Sequence, residues 1–185
     1  MGKRSQQGMG LFEVVIVTTM LAVIILIGMG YYLKSLENGR KASITMLAKN
    51  FSEAVNVVHG KWEAKGLNKH KETSKNRKLA VDLGHGVVYV NEFGWPANTR
   101  TRSDSGSRNQ TPEECAQVFL ALFVNSYELT VENRQGARGK RGNGDYHVSL
   151  PQASICRYEM TDDLESAHYF DYFVKSGEVV LELTP

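Results

Sequence analysis

Residues 8–33 read GMGLFEVVIVTTMLAVIILIGMGYYL: a glycine, a single glutamate at position 13, and then an apolar run that no charge interrupts. From Val14 to Leu33 there are 20 uncharged residues. At 1.5 Å of rise per residue such a helix is about 30 Å long, the hydrocarbon thickness of a bilayer. The segment is therefore long enough to cross a membrane. A cleavable secretory signal has a shorter apolar core followed by a small-residue cleavage site. Here Lys34-Ser35-Leu36-Glu37 follows, without such a site, so cleavage after the run is not expected.

Working outward, Lys3 and Arg4 precede the run and place the N-terminus in the cytoplasm under the positive-inside rule, with residues 34–185 on the far side. The chain's 2 cysteines, Cys115 and Cys156, both fall in that exported part. A disulfide forms and persists in such a compartment. Closing a loop of this span is worth about 3–4 kcal/mol if the bridge is unstrained. Two buried thiols are the alternative, and thiol labelling separates the two. Glu13 is harder to place: an ionised carboxylate costs roughly 2.5–3.5 kcal/mol at the centre of a membrane helix and less near an end. Glu13 either marks the headgroup level or has a function inside the membrane.

The short basic leader, Gly8, and an apolar stretch with glutamate at its fifth position together resemble the class III signal of type IV prepilins and the related pseudopilins. Met9 and Gly10 stand where that family usually has Phe and Thr, and Gly30 where major pilins often carry proline. The resemblance implies cleavage by a prepilin peptidase between Gly8 and Met9, N-methylation of Met9, and polymerisation into a filament. It also implies a register role for Glu13: its carboxylate would meet the Met9 ammonium of the neighbouring subunit, each neutralising the other in low dielectric. A mis-stacked helix would leave the carboxylate unpaired, as a buried polar residue does in a coiled coil. Implied partners are other pilin subunits, the prepilin peptidase, the inner-membrane assembly platform and, before assembly, membrane lipid. The implied location is the bacterial inner membrane, then an extracellular pilus or a periplasmic pseudopilus. Removing residues 1–8 takes Lys3 and Arg4 away, leaving 20 basic and 20 acidic side chains from the original 22 and 20. The totals therefore give no support to a generally basic, nucleic-acid-seeking exported domain.

Beyond the apolar run, Ile44, Leu47, Phe51, Val55, Val58 and Trp62 recur at spacings of three and four, one face of a helix that packs on the rest of the domain. A single helix from about Gly10 to Lys65 is predicted, followed by a lysine-rich loop at 66–78. Val81–Val90 reads as strand broken at Gly84-His85-Gly86, and Asn98–Gln110 as a solvated linker. Thr111-Pro112-Glu113-Glu114 is a helix start, with Thr111 as N-cap and Glu114 closing a capping box. Ala116, Phe119, Leu120 and Phe123 supply its apolar face. Strands are expected at Tyr146–Leu150, Ile155–Met160, Tyr169–Val174 and Val179–Leu183, the last two joined by a hairpin at Lys175–Glu178. The fold class is thus α+β, a long N-terminal helix on an antiparallel sheet of four or more strands, and the resemblance makes it the type IV pilin fold. The organisation is a leader at 1–8, a transmembrane and polymerisation helix at 9–33, its amphipathic continuation at 34–65, and a globular domain at 66–185.

The remaining signals are weaker. His59, His70, His85, His147 and His168 have no metal-ligand spacing, so no metal or other cofactor is expected. Asp162 and Asp163 suit a polar turn before they suit calcium. Arg134, Arg138, Lys140 and Arg141, with Arg100, Arg102 and Arg108 in a second segment, offer an anion surface for a polyanion or glycan. Solubilising charge, or contact with an acidic patch on a neighbour, is the alternative. No nucleophile and base pair or phosphate loop stands out, so the expectation is a structural subunit and not an enzyme. The segments TPEECAQVF, ICRYEM and YFDYFVKSGEVVLEL resemble minor pilins of the mannose-sensitive haemagglutinin pilus system, which implies adhesion, biofilm formation or motility. A pseudopilin of a type II secretion system shares every N-terminal feature, and a membrane-anchored exported enzyme is the remote alternative.

Overall fold

A computed structural model describes residues 10–66, 80–98, 110–123, 127–131, 144–161 and 168–184. The chain divides into two compact units, Met1–Ala42 and Ser43–Pro185, and helix α1 (Leu11–Ala64) contributes to both. In the first unit α1 begins where the Gly10 carbonyl accepts the Glu13 and Val14 N–H groups at 2.9 and 3.2 Å. Residues 11–36 are all exposed, and none of the helix's most hydrophobic window is buried. That excludes the window as core of this chain.

In the second unit α1 buries Ile44, Leu47, Ala48, Phe51, Val55, Val58 and Trp62, the stripe its periodicity predicts. The helix stops at a glycine whose left-handed backbone only glycine adopts cheaply: Gly66 has φ 66° and its N–H bonds the Glu63 carbonyl at 2.8 Å. Phe51 is the hub of the main core. Its ring lies 5.3–6.1 Å from those of Phe119, Phe123, Tyr158, Phe170 and Tyr172. Such pairs add about 0.5–1.5 kcal/mol each beyond burial. A satellite core joins Val58 and Trp62 to Val81, Val88 and Val90.

The expected single antiparallel sheet is instead two sheets. Strands β1 (Ala80–Asp82), β2 (Val87–Val90) and β3 (Pro96–Asn98) form an antiparallel sheet in that order. Strands β4 (Leu129–Val131), β5 (Tyr146–Gln152), β6 (Ile155–Met160), β7 (Tyr169–Phe173) and β8 (Val179–Glu182) form the second. Its pairings from β5 to β8 are antiparallel as expected, but β4 runs parallel to β5, so the sheet is mixed. The 14 residues between Val131 and Tyr146 are long enough for the crossover that parallel neighbours require. The α+β class holds; the purely antiparallel sheet does not.

Helix α2 (Pro112–Leu122) starts as its sequence predicts: the Glu114 N–H donates to Thr111 Oγ1 at 3.2 Å and the Thr111 N–H to Glu114 Oε2 at 3.0 Å. Its buried face is Cys115, Ala116, Val118 and Phe119, whereas Leu120, expected inside, is exposed. At 100° per residue the four buried positions span about 160° of the helix, and Leu120 falls about 40° beyond the Ala116 edge of that face.

Candidate functional site

The first candidate is the N-terminal stretch of α1. Glu13 sits in its first turn, where the exposed amide dipoles favour a negative charge. Thr18 and Thr19 are the next polar side chains, and each already bonds its own helix. Thr18 Oγ1 donates to the Val14 or Val15 carbonyl and Thr19 Oγ1 to the Val15 or Ile16 carbonyl, all at 2.9–3.0 Å. Hydroxyls satisfied in this way can sit in an apolar surround at little cost. Glu13 differs: no hydrogen bond or ion pair among the described residues engages its carboxylate. Of the 23 residues from Leu11 to Leu33, it alone carries a charge. Gly8 and Met9 lie outside the described residues.

The second candidate is where α2 meets the large sheet. Cys115 and Cys156 form a disulfide with a Cα–Cα distance of 5.6 Å, both fully buried. The first turn of α2 is thereby fixed to the start of β6. Tyr158, two residues along the same strand and facing the same side, donates its hydroxyl to the Cys115 carbonyl at 2.9 Å. Burial pushes the Tyr158 phenol well above its ordinary value, and Tyr172 likewise, with the Tyr158 charge a further contribution. Tyr172 donates to the Pro96 carbonyl at 2.9 Å, which ties β7 to β3.

No match to this chain comes from protein-family models, curated proteins or solved structures.

On the opposite face of the large sheet, Arg157 and Asp171 stand directly across from one another and pair through two bonds of 2.8 Å. The guanidinium also lies 3.8 Å from the centre of the Tyr169 ring. The hydrogen bonds that the guanidinium donates to Asp171 raise the Arg157 pKa above its usual value. This is a clamp between neighbouring strands, with all its charges already engaged. Among the described residues no three His, Cys, Asp or Glu side chains converge as a metal site would need.

The proposed anion surface, Arg134, Arg138, Lys140 and Arg141 with Arg100, Arg102 and Arg108, lies outside the described residues, as do Asp162 and Asp163. Two features escaped the sequence reading. Asn91 is buried, with its Oδ1 accepting the Phe93 and Trp95 N–H groups at 2.9 and 3.0 Å and its Nδ2 donating to the Val174 carbonyl at 2.6 Å. It thus holds the β2–β3 turn against the end of β7. The other is a ring stack: His59 lies 3.9 Å from Trp95, nearly parallel, and 5.6 Å from Trp62. A turn asparagine two residues before a backbone bend is a legible signal; the stack, with members at 59, 62 and 95, is not.

Proposed function

We propose that this chain is a type IV pilin-like structural subunit, a minor pilin by its C-terminal resemblance, cut after Gly8 by a prepilin peptidase and polymerised through α1 into a surface filament. The observation that carries the reading is one helix with two characters. Its first half is apolar, exposed and marked by a lone carboxylate at Glu13, while its second half forms the core of an α+β unit. A helix with no buried face in its own chain needs lipid or neighbouring copies around it. A carboxylate in such a surround needs a cation, which the Met9 amine of the next subunit provides once the leader is gone.

Export of the C-terminal unit is part of this reading, and the disulfide supports it, since such bonds persist in oxidising compartments. Basic residues do not argue for it when both flanks are counted. Lys3 and Arg4 precede the run, whereas Lys34, Arg40 and Lys41 follow it. Long segments translocate largely regardless of charge, so the disulfide outweighs the count.

The test is Glu13→Val in cells that build the filament. Export and membrane insertion are expected to stay intact while the subunit disappears from sheared filaments. Recovery of the variant at wild-type level would remove the register role. Mass spectrometry of the mature chain is expected to find N-methylated Met9 at its start, and a terminus that retains Lys3 and Arg4 would refute processing. A pseudopilin of a type II secretion system shares Gly8, Glu13 and α1, and recovery from a secretion complex in place of a surface filament would select it.

A further inference from the structure

Strand β8 lies at one edge of the large sheet and pairs only with β7 among the described residues. The Phe173 N–H donates to the Glu178 carbonyl at 2.9 Å, and antiparallel bonding alternates from there. Val180 and Glu182 therefore turn their N–H and C=O groups toward β7, whereas those of Val179 and Leu181 point away from the sheet. Among the described residues no hydrogen bond reaches these outward groups. Proteins ordinarily blunt such an edge with a bulge, a proline, a lysine or a very short strand. Here the β7–β8 register runs unbroken from Val179 to Glu182, and Val179–Leu183 holds neither proline nor lysine. The other edge strands, β1, β3 and β4, have 3 residues each against 4 in β8, so β8 is the longest open template.

What guards β8 is charge. Glu178 and Glu182 are exposed at its two ends, and alternation puts both on the outer face with Val180, away from Val179 and Leu181, which pack on the main core. No ion pair or hydrogen bond engages either carboxylate among the described residues. A second copy of β8 laid antiparallel on the first would set Glu178 against Glu182 at both ends, and like charges directly opposite destabilise a strand pair. The other edges supply no cation either: β1 ends in Asp82, β3 is Pro-Ala-Asn, and Glu128 precedes β4. We propose that the β8 edge takes up, by strand addition, an extended segment of a partner protein with lysine or arginine opposite Glu178 and Glu182 and apolar residues opposite Val179 and Leu181. Backbone bonds to Val179 and Leu181 make the attachment, the apolar pair extends the core side of the sheet, and the two cations select the strand. This surface does not depend on the membrane anchor.

The experiment uses the full chain in zwitterionic phosphatidylcholine bicelles, titrated with the capped peptide Gly-Lys-Val-Thr-Val-Lys-Gly and read by amide shifts and hydrogen exchange. Laid antiparallel, the peptide sets its lysines against Glu182 and Glu178 and its valines against Leu181 and Val179. Saturable shifts and slowed exchange are expected at the Val179 and Leu181 amides, while the Val180 and Glu182 amides, already bonded to β7, keep their exchange rates. E178Q/E182Q is expected to weaken the peptide about fivefold through the loss of two cross-strand charge pairs. Two control peptides are expected to leave these amides unmoved. One carries glutamates in place of the lysines, and the other has proline in place of the first valine and so lacks the N–H that meets the Leu181 carbonyl. An equal response to either control, an unchanged double variant, or exchange already slow at Val179 and Leu181 in the free chain would each overturn the proposal. So would concentration-dependent protection of the same amides without peptide, because the occupant is then a second copy.

Discussion

Gly94 occupies a backbone conformation with φ 85° and presents its α-carbon to the face of an indole: an added Cβ would lie 2.2 Å from the Trp62 ring. Gly177, with φ 74°, does the same to Trp95 at 2.1 Å. His59 lies between those two indoles and its Nδ1 faces the Gly94 carbonyl at 3.2 Å, so that nitrogen carries the proton and donates. Two glycines, two tryptophans and a histidine thus hold the end of α1, the β2–β3 turn and the β7–β8 turn together. The ranking of glycine substitutions follows from space and dihedral angle. Gly86→Ala, in open space without a positive φ, is expected to lose nothing measurable. Gly84→Ala, at φ 91° in open space, should lose about 1 kcal/mol from backbone strain alone. Gly94→Ala and Gly177→Ala combine strain with a collision against a rigid ring and should lose about 2–4 kcal/mol each. Urea denaturation of the four variants checks the order, and a Gly94→Ala variant no less stable than Gly84→Ala would refute the packing argument.

At the scale of elements, α2 is attached to the large sheet by one covalent bond and one buried phenol, both reaching its first turn. The bridge spans 41 residues, and by loop-closure entropy its removal should lower stability by about 4 kcal/mol. A Cys115→Ala/Cys156→Ala double variant, read by thermal unfolding, is expected to show that loss without loss of helix by circular dichroism. A change under about 1 kcal/mol would mean that the rest of the fold already confines the unfolded chain. The start of α2 was legible because Thr111, Pro112 and Glu114 carry their instructions locally. So were β5 to β8, where β-branched and aromatic residues are dense and a Ser-Gly turn separates the last pair. Strand β3 was not, since Pro-Ala-Asn has low strand propensity and is held by distant groups: the Tyr172 hydroxyl on Pro96 and the Gln110 side chain on Ala97. Three residues of β4 gave no periodic signal, and its parallel pairing depends on a crossover no local pattern encodes. Of the candidate site, Glu13 stood out because it is a charge where none belongs. The ring stack around His59 did not, because its members at 59, 62 and 95 meet only once the β2–β3 turn packs against α1.

Across the large sheet, two fully buried phenols, those of Tyr158 and Tyr172, donate to the Cys115 and Pro96 carbonyls and are able to titrate. Burial raises both above the ordinary tyrosine value near 10, so in the folded protein they keep their protons at pH values where the unfolded chain releases them. The sign follows directly. Below about pH 10 both states hold the protons and the two groups add no pH dependence. Above it the unfolded state binds fewer protons, and stability falls as pH rises, by up to about 1.4 kcal/mol per pH unit for each tyrosine. Alkaline unfolding should therefore be steep and involve the entire Ser43–Pro185 unit, since both phenols lie in its one main core. Tyr158→Phe removes a hydroxyl bond to Cys115 and should cost about 1 kcal/mol at pH 8. The same change deletes one titrating group, so its stability should decline less steeply from pH 10 upward, by about 1.4 kcal/mol per unit relative to the parent. Denaturation midpoints collected from pH 8 to 11.5 test both, a range that brackets the ordinary phenol value of about 10. Parallel curves for parent and variant above pH 10 would show that water reaches Tyr158 before the unit unfolds.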